Sequence, residues 1–255
     1  MSAALLEVDG LSVQFGGLRA VDGVSFTVDK SEIVGLIGPN GAGKTTIFNC
    51  ISGVLTPTGG DVRIGGRTTR GLKPEQVCAL GVTRTFQNVR LFGDLSLREN
   101  VMMGAYSAGG CGMLSAMLRL PGHHRLERLA GDRAEFWMER LGLSRFRDAP
   151  ATSLPLGLQR VAEVARAMAA EPKVVLLDEP AAGLNAVEKR RLADILRAIA
   201  GDGECALLIV DHDMTLMMGL VQRLEVVDFG RRIAAGTPAE IAVDAKVIKA
   251  YLGAG

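Results

Sequence analysis

An α/β fold built on a parallel sheet is the class this 255-residue sequence predicts, and three observations carry it. Ile33–Ile37 and Val174–Leu177 are near-continuous apolar runs bounded by turn residues, the pattern of strands buried on both faces. Segments with apolar residues at helical spacing separate such runs, and strands joined by helices of that length form right-handed βαβ units. With 48% hydrophobic and 22% charged residues, the chain has the apolar material for a sizeable core.

Leu5–Val8, Leu11–Phe15 and Val24–Val28 are short strands punctuated by glycine, and Ile33–Ile37 is the fourth. A glycine-rich turn leads at once into a helix from Lys44 to Ser52, ended by Gly53. Val62–Ile64 and Val82–Phe86 are further strands. From Ser96 to about Gly142 the character changes. Leu126, Leu129, Phe136, Met138 and Leu141 recur at helical spacing among arginines and glutamates, with Pro121-Gly122 the one real interruption. This stretch is expected to be a mostly helical subdomain inserted between parts of a sheet domain. A helix follows Pro155 to about Ala170, and strands at Val174–Leu177 and Leu207–Asp211 flank another near Ala186–Ala200. The tail, Pro238–Leu252, is helical, and the sequence holds no internal repeat.

Composition excludes several function classes. Lys and Arg total 29 against 28 Asp and Glu, a net charge of +1, so no nucleic-acid partner is expected. Cys50, Cys78, Cys111 and Cys205 are scattered without Cys-x-x-Cys spacing, which argues against a disulfide framework or a zinc site and for reduced cytosolic thiols. Met1–Gly10 lacks the basic and apolar regions of a signal peptide. Apolar runs such as Ala206–Val210 fall far short of the roughly 20 residues that span a bilayer. Work at a membrane would need a partner to hold the chain there.

Gly38-Pro39-Asn40-Gly41-Ala42-Gly43-Lys44-Thr45 fits G-x-x-x-x-G-K-[ST] in full, with a buried strand before it and a helix after it. A triphosphate must be approached by backbone amides at close range, and glycines permit the dihedrals and clear the side chains away. The N-terminus of the following helix adds free N–H groups and a favourable dipole. Lys44 is expected to reach the β- and γ-phosphates, and the Thr45 hydroxyl to ligate Mg²⁺. Thr46, next in the helix, completes the candidate ATP-binding stretch.

Val174–Leu177 runs into Asp178 and Glu179, which places two carboxylates at the carboxyl edge of the sheet, where open α/β folds bind ligands. Asp178 would accept from the Mg²⁺ water shell, and Glu179 would polarise the attacking water. Alone, the pair could be solvated acids capping a strand; beside the phosphate loop they form a site. His212, after another apolar strand, faces the same crevice as a candidate γ-phosphate sensor, since a neutral imidazole donates one hydrogen bond and accepts another. His123-His124 has no carboxylate or cysteine spacing and is a solvated pair.

These residues in this order resemble the nucleotide-binding subunit of ABC transporters over essentially the whole chain. That resemblance implies a P-loop NTPase, RecA-like core with a parallel sheet, an N-terminal antiparallel β subdomain and an inserted α-helical subdomain. Residues 1–95 and 172–255 would be the core with its helical tail, and 96–171 the helical subdomain. The 134 residues between Lys44 and Asp178 leave room for it. By carry-over, Phe15 stacks on adenine, where the alternative is a core phenylalanine. Gln87 contacts Mg²⁺ and couples the ATP site to the membrane partner, a role that rests wholly on the family. The family's signature falls at Leu154, Pro155, Leu156, Gly157, Leu158 and Gln159, and its D-loop at Ala182–Asn185.

Phe15–Val21, Arg84-Thr85-Phe86-Gln87, Asp178–Asn185, Gly236-Thr237-Pro238 and Val247–Gly253 are similar to the LivG-type group within that family. This group powers bacterial uptake of branched-chain and other hydrophobic amino acids, and of some amides and urea. The implied partners are a second, LivF-type ATPase (a homodimer being possible in isolation), two membrane permeases and a periplasmic or lipid-anchored binding protein. The implied location is the cytoplasmic face of the bacterial inner membrane. One departure matters: the family's Leu-Ser-Gly-Gly-Gln becomes Leu154-Pro155-Leu156-Gly157-Leu158, then Gln159, so proline replaces the serine that would touch phosphate. In this superfamily a signature serves the partner's ATP, so the departure weakens the partner's site and implies an asymmetric heterodimer. Two rivals stand beside this expectation. One is a soluble ABC ATPase of translation or DNA repair, against which stand the single P-loop and the lack of heptads. The other is a regulatory module that closes on ATP with little hydrolysis, against which stand Glu179 and His212.

Overall fold

The computed structural model describes residues 4–85, 87, 89–108, 121–203 and 205–252. Among the described residues, ten strands form two sheets. The first is antiparallel, in the order β2-β1-β4-β5, from β1 (Ala4–Phe15), β2 (Leu18–Asp29), β4 (Gly59–Ile64) and β5 (Arg67–Thr68). The second runs β10-β9-β3-β8-β7-β6, from β3 (Ile33–Ile37), β6 (Val82–Arg84), β7 (Val174–Asp178), β8 (Ala206–Val210), β9 (Arg223–Asp228) and β10 (Arg231–Gly236). All its pairings are parallel except that of β10, which closes the edge antiparallel to β9.

The strands of this second sheet divide their side chains by the twofold period of the pleat. Val34 and Leu36 of β3, Leu176 of β7 and Leu208 of β8 enter a core shared with the antiparallel sheet and with α1 (Lys44–Ile51). Ile33, Ile37, Val175, Leu177, Leu207 and Ile209 enter the opposite core, with the helices. That core joins α3 (Leu97–Ala108), α4 (Pro121–Arg140), α5 (Leu156–Ala169), α6 (Ala186–Gly201) and α7 (Met214–Leu220) to the sheet. The expected inserted helices are therefore present in α3, α4 and α5, with residues 109–120 outside the described set. Among the described residues no helix is long and apolar enough to cross a membrane.

Several boundaries differ from expectation for physical reasons. Leu5–Val8 and Leu11–Phe15 are one strand, bent where Gly10 adopts φ +58° and the register shifts. Glycines that look like strand ends mark bulges instead. β6 stops at Arg84, and Phe86, the expected end, lies outside the described residues. Pro121 opens α4 rather than interrupting a helix, as its missing N–H allows at a first helical position. The tail breaks at Val243-Asp244 into α8 (Pro238–Ala242), capped by Thr237 and Glu240, and α9 (Ala245–Leu252). The short α2 (Pro74–Ala79), α7, β5, β9 and β10 have no counterpart in the sequence expectation. In β9 the apolar pattern is broken by Glu225, which is fully buried and satisfied by Arg223 and Arg232.

Helices α3 and α5 approach so closely that a Cβ at Gly104 would lie 1.8 Å from the Arg166 carbonyl oxygen. Gly104→Ala is therefore expected to force these helices apart and cost about 1–3 kcal/mol, the usual scale of overpacking, measured by chemical denaturation.

Candidate nucleotide site

Strand β3 is buried along its whole length and delivers the chain at Ile37 into the glycine-rich loop. Gly38 passes β9 so closely that a Cβ would meet the Val227 carbonyl oxygen at 2.0 Å. Gly43, the residue before α1, has φ +102° and lies against the Ala20 carbonyl, where a Cβ would sit at 2.7 Å. These two positions admit only glycine. Between them Ala42 is buried, and its carbonyl accepts from the Gly230 N–H at 3.0 Å, while the Asp22 N–H donates to Gly230 O at 2.8 Å. The loop is thus pinned by β2 and by the β9–β10 turn. No side chain caps α1, so its first-turn amides open onto the loop.

Lys44 lies back over its own loop, Nζ donating to Gly38 O at 2.7 Å and Pro39 O at 2.9 Å. Burial pulls its pKa below the ordinary lysine value, and the charge of Glu179 opposes that shift. Thr45 is exposed and Thr46 half-buried in the first turn.

Asp178 ends β7, and its Oδ2 accepts from Arg84 NH2 at 2.7 Å. The same guanidinium donates through NH1 to Asn49 Oδ1 at 2.7 Å and lies over the Phe48 ring. Glu179 follows in a left-handed conformation, φ +47°, which costs a residue with a Cβ and recurs where a site dictates the backbone. Its N–H donates to Val210 O at 2.7 Å, which ties it to β8. Its two oxygens meet different residues: Oε2 accepts from Gln87 Nε2 at 2.8 Å, and Oε1 lies 3.0 Å from His212 Nε2. Two residues singled out separately in the sequence therefore converge on the carboxylate of a third. Thr45, Asp178 and Gln87 offer hydroxyl, carboxylate and amide oxygens, the hard donor set that suits Mg²⁺.

Phe15 stands at the β1–β2 hairpin with half its surface exposed, which is not the environment of a core phenylalanine.

A model of the ABC transporter family matches residues 21–182. The chain belongs to the ABC transporter family. A model of branched-chain amino acid ATP-binding cassette transporters matches residues 231–255. The high-affinity branched-chain amino acid transport ATP-binding protein LivG of Salmonella typhimurium is 44% identical over 253 residues, 99% of either chain. BraF of Pseudomonas aeruginosa, with the same description, is 41% identical over 99% of either chain. The ADP conformation of an ATP-binding cassette of an ABC transporter superposes with a TM-score of 0.85 at 27% identity, covering 99% of this chain and 100% of that one.

In this ABC ATPase the segment expected to be the signature packs against the region expected to be the D-loop and the helix after it. Pro155 precedes α5, Leu154 and Gly157 are buried, and Leu156 is exposed. A Cβ at Gly157 would lie 2.5 Å from Glu188 Oε1, and one at Gly183 would lie 2.8 Å from Leu156 Cδ2. Leu158 is half-buried, and Gln159 folds back to donate to Leu154 O at 2.7 Å. His123 and His124 fall in the first turn of α4, with side chains outside the described residues.

Sequence inspection missed four residues that shape the site. Arg84 sits inside the quoted Arg-Thr-Phe-Gln run, but nothing in that run says that it meets Asp178. Asp211 accepts from Ala181 N at 3.0 Å through Oδ2 and from Asp213 N at 2.8 Å through Oδ1, joining the loop after Glu179 to the His212 loop. Arg160 of α5 donates to the Gln87 carbonyl at 2.6 Å. Glu163, also on α5, accepts from the Arg90 N–H at 3.0 Å, and burial raises its pKa against the pull of Arg90, Arg160 and Arg166.

Loss of the Lys44 ammonium removes the one buried cation of the loop. Lys44→Ala is expected to lower turnover by about 10²-fold or more and to weaken nucleotide binding, checked by phosphate release and by titration with a fluorescent ATP analogue.

Proposed function

We propose that this ABC ATPase powers an importer of branched-chain or other hydrophobic amino acids, amides or urea. The observation that carries the catalytic part is the convergence of Gln87 and His212 on Glu179, next to the loop that holds Lys44. The substrate class rests on the full-length similarity to LivG and BraF.

In this mechanism Phe15 stacks on adenine, and the backbone of Gly38, Pro39, Asn40, Gly41, Ala42 and Gly43 cradles the phosphates. The first-turn amides of Lys44, Thr45 and Thr46 add donors. Lys44 leaves its loop carbonyls for the phosphate oxygens, a stronger charge-assisted contact. Thr45, Asp178 and Gln87 would hold Mg²⁺, which would supply positive charge to neutralise the triphosphate. Glu179 orients and polarises water once Gln87 releases it, and His212 donates to the γ-phosphate. Catalysis is chiefly positioning and charge stabilisation, since phosphoryl transfer asks little covalent chemistry of the protein.

Residues 96–171 act as the moving unit between nucleotide and membrane. A groove of about 510 Å³ between that unit and α1–α2, lined by Val54, Arg90, Phe92 and Met103, is the seat for a permease. The other partners are a second permease, a LivF-like ATPase and an external binding protein, with the chain working at the cytoplasmic face of the inner membrane. Because Pro155 offers no donor, the partner ATPase contributes the better signature to the site built on Lys44 and Glu179.

A regulatory module that closes without turnover is the second interpretation, favoured by that same Pro155. ATPase rate separates the two. The chain alone is expected to hydrolyse slowly, and the complete complex with its binding protein to accelerate it; a complex that binds Mg-ATP without turnover would leave only the regulatory module. Glu179→Gln is expected to spare binding, lower turnover by about 10²-fold or more and trap the closed dimer, read by gel filtration with ATP. Full activity of the two-ATPase complex after that substitution would refute the asymmetric site.

A further inference from the structure

Asp178 is held by one side chain whose own position is fixed from the other end. Arg84 and Asp178 are 12% and 16% exposed, and their contact is 2.7 Å. NH1 of Arg84 is tied to Asn49 Oδ1 at 2.7 Å and lies 3.4 Å from Ser52 Oγ, both beyond Thr45 on the chain that forms α1. The guanidinium carbon lies 5.6 Å from the Phe48 ring centroid. The arginine is therefore not a mobile surface partner: α1 holds it against the end of β7. A carboxylate so far from water needs a counter-charge, and the guanidinium provides it. A divalent ion on the same carboxylate would feel that guanidinium as a like charge at short range, in a site too sheltered for salt to screen it.

We propose that Arg84 is the positioning residue for Asp178 and its resting counter-ion, and that it thereby sets how much Mg²⁺ the nucleotide site requires. It engages Oδ2, so it orients the ligand while opposing the cation's charge. This rests on the assignment of Asp178 to Mg²⁺ made above. A purely architectural arginine, stapling β6 to α1, would affect folding and leave the metal requirement alone.

The test uses the full chain with a fluorescent ADP analogue. Nucleotide is bound in EDTA, then Mg²⁺ is titrated, and the half-saturating concentration is read beside the melting temperature. Arg84→Gln removes the charge but can still bond Asn49. It is expected to lower the Mg²⁺ requirement about five-fold or more, while affinity in EDTA stays within about two-fold. In the ATPase assay it lowers kcat with KM for Mg-ATP little changed, as loss of positioning in the transition state does. Arg84→Lys keeps the charge and is expected to keep the wild-type Mg²⁺ requirement. An unchanged or raised requirement in Arg84→Gln overturns the proposal. If that variant does not fold, Asn49→Asp takes its place, because a new carboxylate on α1 draws the guanidinium away from Asp178. It is expected to lower the requirement about two-fold or more, and no change overturns the proposal equally. Asp178→Asn, run in parallel, must raise the requirement. If it does not, the assignment of Asp178 to the metal has failed, which is a different failure from that of Arg84.

Discussion

Backbone amides reach a polyphosphate only where the chain that carries them is bare and held still, and the whole site depends on that constraint. Gly38 is squeezed by the Val227 carbonyl and Gly43 by that of Ala20, so the loop is shaped by neighbouring main chain rather than by its own side chains. The neighbours are themselves fixed. β3 and β9 pair in parallel inside a sheet with cores on both faces, and the β9–β10 turn hydrogen-bonds the loop at Ala42. The β10 edge and the N-terminal sheet are thus part of the phosphate site, although neither bears a group that would touch phosphate.

A second constraint operates at Glu179. Its left-handed backbone turns the side chain out of the β7 line, and the bond to Val210 holds it there. Gln87 and His212 then occupy its two oxygens. A carboxylate flanked on both oxygens is poorly placed to polarise water, so in the mechanism proposed above this is a resting arrangement. Release of Gln87 would arm it, and Gln87 is held through its carbonyl by α5, the helix that begins in the segment expected to be the signature.

The residues of the candidate site were legible in the sequence because each member sits in a run with one structural solution. A buried strand, a glycine turn and a helix leave Lys44 nowhere else to go, and apolar strands ending in Asp178-Glu179 and Asp211-His212 bring those groups to one sheet edge. What stayed hidden depends on pairing across long sequence distances. Arg84 and Asp178 are adjacent only because β6 and β7 pair in parallel, with Arg84 opposite Leu176. β9 was hidden by Glu225, a charge in a strand core whose partners, Arg223 and Arg232, become visible only once β9 and β10 are paired. Gly10 of β1 misled in the opposite direction, since a bulge and a chain break share one residue type.

Three side chains of helix α5 hold main-chain atoms of Gln87 and Arg90. Arg160 takes the Gln87 carbonyl, Glu163 the Arg90 N–H and Arg166 the Arg90 carbonyl. Every residue type offers a carbonyl, and every type but proline an N–H, so the grip is indifferent to what side chains stand at Val89, Arg90 and Phe92. In the importer proposed above, those positions could therefore change to suit a different membrane subunit while these three bonds stay intact.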